Sequence, residues 1–304
     1  MKIKITALSA ILLVSSLAGY ARGGEADRIP VTTSTQRITE VALSLAVNAS
    51  LTEIFKHSVH ETRPDGDGRN SFPSRHTSWA FTASTVLGSE FYRTAPWVPL
   101  AAHAAATGIG LQRVVVGRHY GGDVAAGAAL GILSTEAAYA LTRVFFRRSA
   151  PVATGSSAFT KALYISSDAL FATNSRSCSG FAGTVGGIFP ISDHWGISIA
   201  LTAASANMRH KGRASAAYGW TSAGAVYSLP LPRAWEMQAS VAVGGGARRL
   251  CRLETGYKAI FVARPDVHFI WHLTPRFAAG FRAGYLSAGD LSAMTAGVTS
   301  NLVF

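Results

Sequence analysis

The stretch from Arg113 to Asp123 places a cation, a histidine and a carboxylate in order, with His119 and Asp123 four positions apart. On a helix running from His119 onward, that spacing puts both side chains on one face. A carboxylate beside an imidazole fixes its tautomer and stabilises its cationic form, which a nucleophilic or proton-transferring histidine needs. Alone, such a pair is more often a surface or core contact than a catalytic one. Two upstream stretches add weight. In the first, Lys56 is followed six residues later by Arg63-Pro64, and in the second Phe72-Pro73-Ser74 leads into Arg75-His76-Thr77. A phosphoryl group in transfer spreads negative charge over its non-bridging oxygens, so its site needs fixed donors and cations. Lys56, Arg63 and Arg113 offer the cations, arginine being suited to bidentate grip. Ser74 and the backbone N–H groups of a helix starting after Pro73 offer further donors.

In this order the three stretches resemble the type 2 phosphatidic acid phosphatase superfamily, which includes bacterial class A acid phosphatases and vanadium-dependent haloperoxidases. The resemblance covers roughly residues 35–145. It implies an all-α helical bundle in which His119 attacks phosphorus to form a phosphohistidine and Asp123 orients it. His76 would protonate the leaving oxygen and then activate water. Lys56, Arg63, Ser74, Arg75 and Arg113 would bind the phosphate, with no metal or other cofactor required. Two positions depart from the family pattern. Arg75 stands where glycine is usual in Pro-Ser-Gly-His, and Gln112 precedes Arg113 where serine is usual. Arg75 can still offer its backbone N–H, and its side chain adds a cation or narrows the pocket.

Other clusters carry less. His57 and His60 lack a third ligand at usable spacing and read as helix-end polar residues. Asp65-Gly66-Asp67-Gly68 lacks the later ligands of a calcium loop and reads as a turn. His194, His210, His268 and His272 are scattered, and no nucleophile stands out among them.

The elements that must hold these residues divide the 304-residue chain in two. Lys2 and Lys4, the apolar run Ile5–Leu17 and the small-residue stretch ending at Ala21 have the plan of a secretory signal peptide. The expected division is a signal peptide over 1–21, a helical phosphatase domain over 22–150 and a barrel over 151–304. Apolar positions at three- and four-residue spacing from Ile38 to Phe55 predict a helix. Further helices are predicted over Thr77–Tyr92, Pro96–Gln112 and His119–Phe146. Ala95–Leu111 and Tyr120–Thr142 carry few charges, but their Ala/Gly content and the interruptions at His103, Asp123 and Glu136 favour a compact bundle over true spans.

From about Ser157 the pattern changes to period two. Trp195, Ile197, Ile199 and Leu201 alternate with small or polar residues, as do Phe277, Phe281 and Tyr285. Turn-like stretches, Ala263–Asp266 among them, separate about eight strands, with Ser292–Phe304 a possible ninth. Alternating strands ending in the aromatic Phe304 resemble a small antiparallel outer-membrane β-barrel. With 48% hydrophobic and only 14% charged residues, disorder is disfavoured and a membrane-associated or well-buried protein favoured. The net charge of +12 suits phosphate esters or acidic lipid. Nucleic acid is disfavoured, because no long basic run is interleaved with aromatics. Cys178 and Cys251, the only cysteines, are permitted a disulfide in an oxidising compartment, but their spacing does not establish one.

The α + β two-domain reading is therefore a metal-independent phosphatase acting on a phosphate monoester or diphosphate of a lipid or isoprenoid carrier. It would sit in the cell envelope, outer membrane expected, with lipid around the barrel and the catalytic domain in the periplasm. The alternatives are an acid phosphatase for small organic phosphates, a haloperoxidase, or a non-catalytic barrel protein with a degenerate site.

Overall fold

The computed structural model describes residues 34–146, 159–173, 177–208, 215–250 and 256–304. The proposed signal peptide lies outside the described residues, as does Cys251 and with it the question of a disulfide. Four helices come first: α1 (Ser34–Ser58), α2 (Arg75–Phe91), α3 (Trp97–Val115) and α4 (Gly121–Phe145). Eight strands follow: β1 (Ala162–Ala172), β2 (Ser177–Pro190), β3 (Trp195–Met208), β4 (Ser215–Leu231), β5 (Trp235–Leu250), β6 (Lys258–Thr274), β7 (Phe277–Ala288) and β8 (Leu291–Val303). They form one closed antiparallel barrel in sequence order, sealed by β1 pairing with β8.

The strand count settles at eight because β6 runs unbroken through the expected turn at Ala263–Asp266. Proline and charge read there as a turn signal. In the barrel, Pro265 lies on the outward face in register with Val241, while Arg264 and Asp266 turn inward. Inside, Arg264 binds Asp168 at 2.9 Å and Asp266 at 3.1 Å, and Arg282 binds Asp266 at 2.9 Å. Two carboxylates facing two guanidiniums balance charge where water is scarce, so a run that is polar by sequence is an interior strand segment by structure. Apolar side chains including Leu170, Trp220, Leu250 and Leu286 fill the barrel toward the end holding the β1–β2 and β3–β4 connections.

The outward face is of two kinds. Over most of the circumference it is large and apolar, with Ile199, Leu201, Val241 and Phe261 all more than half exposed. That is the pattern of a lipid-facing barrel wall. Where α3 and α4 dock, on β8, β1, β2 and β3, small and polar residues including Ser167, Ser179, Gly183 and Ser300 stand among the apolar ones. His103 Nδ1 lies 2.9 Å from Ser300 Oγ and its Nε2 2.7 Å from Ser167 Oγ. Phe181 of β2 inserts among Phe81, Ala106, Val114, Val124 and Ala128 of the helices. A Cβ on Gly121 would sit 2.3 Å from the Gly180 backbone, so helix and strand touch main chain to main chain.

Helix α1 is inverted relative to a helix that packs by an apolar stripe. In α1 the buried residues are Glu40, Ser44, Asn48 and Thr52, spaced four apart. Ile38 and Ile54, among the apolar positions that mark the helix, are 68% and 56% exposed. The polar stripe is held by neighbours: Thr52 bonds Ser78 of α2 at 3.2 Å, Asn48 bonds the same hydroxyl, and Thr142 of α4 donates to Glu40 at 3.3 Å. Periodicity located the helix correctly. It could not say which of two faces the neighbours would cover.

Candidate active site

All three motifs meet at one end of the bundle. Lys56 ends α1, Ser74 caps α2, Arg113 ends α3, and His119 and Asp123 flank the start of α4. The loop over 59–74 closes the group. Its Ser71 N–H donates to the Glu61 carbonyl at 2.9 Å and its Arg63 N–H to the Gly68 carbonyl at 3.2 Å. At the other side, the Ser74 N–H donates to the Asp123 carbonyl at 3.0 Å, pinning the start of α2 to the first turn of α4.

His119 departs from the expected helical placement. The helix begins at Gly121 with Tyr120 as its cap, so His119 lies in the preceding loop. Its Nδ1 is 4.0 Å from Asp123 Oδ2, too long for a hydrogen bond, and 2.8 Å from the Ser71 carbonyl oxygen. A carbonyl can only accept, so Nδ1 carries the proton and Nε2 keeps its lone pair. Asp123 works one step removed. Its Oδ2 accepts from the Ser71 hydroxyl at 2.5 Å and from the Tyr120 N–H at 2.9 Å. The carboxylate thus fixes both the residue that holds the imidazole and the chain that carries it. Ser71, fully buried, is the residue that sequence reasoning missed. It falls outside the three stretches, and a serine in a polar loop carries no spacing signal.

Burial drives the His119 pKa down to about 3, opposed by the Ser71 bond and reinforced by the charges of Lys56, Arg113 and Arg63. The same cations, with Arg75, act on His76. His76 is exposed, whereas His119 is buried.

The cations are arranged differently from one another. Lys56 Nζ donates to the Asn70 carbonyl at 2.9 Å. Among the described residues, Arg63 Nε and Arg113 Nε are buried without a hydrogen-bond partner, an arrangement an anion would satisfy. Arg75 is half exposed and ion-paired to Glu53 of α1, so its charge is already engaged by a carboxylate. Ser74 is buried, its hydroxyl 2.9 Å from that of Thr77. The Asp65–Gly68 turn has a structural role: Arg118 bonds Asp67 at 2.9 Å and Asp65 at 3.3 Å, tying the 59–74 loop to the loop of His119.

The barrel also reaches this site. The first amides of α4 are capped from β2 and β3: Gly121 N–H donates to Asn207 Oδ1 at 3.0 Å and Gly122 N–H to Ser179 Oγ at 3.2 Å. Neither residue was readable as part of a site, because each belongs to the other half of the chain. Within the barrel, Glu236 bridges Ser228 at 2.6 Å and His272 at 2.7 Å. That serine bonds the carboxylate and not the imidazole, so the nucleophile–base contact of a hydrolase is missing.

The PAP2 superfamily model matches residues 37–147. A lipid A 1-phosphatase of Porphyromonas gingivalis is 38% identical over 106 residues, 35% of this chain, and the match spans about a quarter of that relative (24%). Among solved structures, Aquifex aeolicus LpxE aligns over 45% of this chain and 84% of its own at 20% identity, TM-score 0.31. Neisserial surface protein A aligns over 47% of this chain and 99% of its own at 12% identity, TM-score 0.36. Residues 37–147 are therefore a PAP2 superfamily domain, joined in one chain to a closed eight-stranded antiparallel β-barrel.

Proposed function

We propose that the chain is a phosphohydrolase of the bacterial envelope that removes phosphate from a lipid, with the barrel as its outer-membrane anchor. The observation that carries this is the buried His119 with its Nδ1 bound and Nε2 free, beside two arginines with unpartnered Nε groups. The name of the Porphyromonas relative supports a lipid substrate, and the apolar outer wall of the barrel supports a membrane setting.

In this mechanism Arg63, Arg113 and Lys56 hold the non-bridging oxygens, with the amides at the start of α2 as further donors. His119 Nε2 attacks phosphorus. A P–N bond forms, the P–O bond to the lipid breaks, and His76 gives its proton to the departing oxygen. Asp123, through Ser71, keeps the proton on Nδ1 and supports the positive charge that develops on the ring. Water then attacks phosphorus, His76 takes its proton, and the P–N bond breaks to release phosphate. Arg75, engaged by Glu53, enters through its backbone N–H.

Purified protein in detergent, given a radiolabelled lipid phosphate and quenched in alkali, should yield a phosphoenzyme that is stable to base and labile to acid. His119→Ala should abolish both that species and phosphate release. Equal, slow release by wild type and His119→Ala from every substrate tried would show that the site is not catalytic. A substrate panel separates the lipid reading from a small-molecule phosphatase.

A further inference from the structure

Resting on the phosphatase reading above, we propose that the helical domain lies in the same bilayer as the barrel, packed on its wall. Its site would open at the outer leaflet, and its substrate would be a phosphorylated lipid resident there.

Helix α1 has the inside-out character of a membrane segment. A helix docked in water buries an apolar stripe and exposes polar residues. Helix α1 does the reverse, burying Glu40, Ser44, Asn48 and Thr52 and exposing Ile38, Leu45 and Ile54. Helices α1 and α4 are each 25 residues long and pass the length and hydropathy test for a span. At 1.5 Å per residue each is about 37 Å long, enough for a hydrocarbon core of about 30 Å.

The barrel wall agrees with this placement. Of its outward polar residues, Ser167, Ser179, Asn207 and Ser300 lie where α3 and α4 cover and bond them. Facing acyl chains, those groups would cost free energy. Where the helices do not cover the wall, it presents Ile199, Leu201, Val241 and Phe269. One lipid-facing surface thus continues from barrel to bundle. Lipid is its occupant, because both surfaces are apolar around the same shared polar seam.

The direction of the site follows from strand register. Tyr92, one residue beyond the end of α2, meets Phe277 at the start of β7 with ring centroids 6.2 Å apart. Gly121 and Gly122 meet Asn207 and Ser179 at the other barrel end. The first end holds Ala162, Val303 and the turns 191–194, 232–234 and 275–276; the second holds the connections 173–176, 209–214, 251–257 and 289–290. Outer-membrane barrels keep short turns in the periplasm and longer loops outside. The site stands at the loop end, beside the wall, and not below the barrel's terminal end where a periplasmic domain would hang. Lys56, Arg63 and Arg113 then lie at headgroup level, where a lipid phosphate meets them without leaving its leaflet.

Labelling with a large, membrane-impermeant maleimide tests this, using full-length protein with Cys178→Ser and Cys251→Ser. Arg69→Cys, exposed in the 59–74 loop, should label on intact cells, and Asp193→Cys in the opposite turns only once the envelope is opened. Leu45→Cys should resist labelling in folded protein and react after denaturation. Labelling of Asp193→Cys alone on intact cells, protection of Arg69→Cys there, or ready labelling of Leu45→Cys in the membrane would each overturn the proposal. Should the cysteine-free background lose its heat-modifiable folded band, a peptide epitope inserted after Arg69 of the natural chain takes its place. Antibody binding to that epitope on intact cells is expected, and its absence there with binding after the envelope is opened would overturn the proposal. These readouts report topology alone, so they can fail while phosphate release by the purified protein stands, and the reverse.

Discussion

Ser71→Ala separates indirect positioning of His119, the proposed nucleophile, from direct pairing. The Ser71 hydroxyl and Asp123 Oδ2 are 2.5 Å apart and both residues are fully buried. Removing the hydroxyl deprives a buried carboxylate of a charge-assisted donor, worth about 1.5–3 kcal/mol. The carbonyl of residue 71 still accepts from His119 Nδ1, because the backbone survives the substitution. What is lost is the link by which Asp123 fixes that carbonyl and supports charge on the ring. If the whole loss falls on the transition state, kcat drops by about 10- to 150-fold. KM should change less than threefold, since Ser71 is fully buried and is not among the groups proposed to hold the phosphate. Steady-state phosphate release in mixed micelles, with the heat-modifiable band confirming the fold, measures both. A kcat within twofold of wild type would refute the reasoning and leave Asp123 acting on His119 directly across the 4.0 Å gap.

Three further outcomes are expected. Asn207→Ala removes the barrel's cap on Gly121 N–H and should cost about 1 kcal/mol of stability, with kcat reduced severalfold, although the residue lies in the strand half; unchanged kcat would show that the barrel does not position the site. Gly183→Val places a Cβ 2.4 Å from Thr107 Cγ2 and should separate bundle from wall, read as increased proteolysis of the helices with the barrel's heat-modifiable band intact. The third concerns acid. With its pKa lowered to about 3 in the fold and near 6.5 when unfolded, His119 takes a proton only on unfolding between those values. Its contribution to stability is therefore lost as pH falls from 6.5 toward 3, by at most about 1.4 kcal/mol per pH unit. Melting midpoints of wild type and His119→Gln should diverge across that window and run parallel above pH 7.

The candidate site was largely legible in the sequence, because it depends on residue type at short spacing. Lys56, Arg63, Ser74, His76, Arg113, His119 and Asp123 stand in three local runs, and local runs survive any packing of the helices that carry them. The strand half was legible for a similar reason: alternation alone places Trp195, Ile197 and Ile199 on one face, and the structure closes those strands into a barrel. Local signals misled where a distant partner reversed their meaning. Arg264-Pro265-Asp266 reads as a turn until Asp168 and Arg282 receive its charges. In α1 the spacing marks a helix, and only its bonds to Ser78 and Thr142 show that the polar stripe is the buried one.

Tertiary structure alone decided three matters. Asp123 reaches His119 through Ser71, since one turn of loop before Gly121 removes the helical spacing that would have made the pair direct. Arg75 is spoken for by Glu53, a contact between helices that no motif encodes. The barrel is more than an attached anchor, because Asn207 and Ser179 supply two hydrogen bonds to the helix bearing Asp123. A sequence determines which groups are available and which face of a strand they share. Which groups meet across hundreds of residues depends on closing the chain in space, and here that closure sets the Arg113–Asp123 run against the barrel wall.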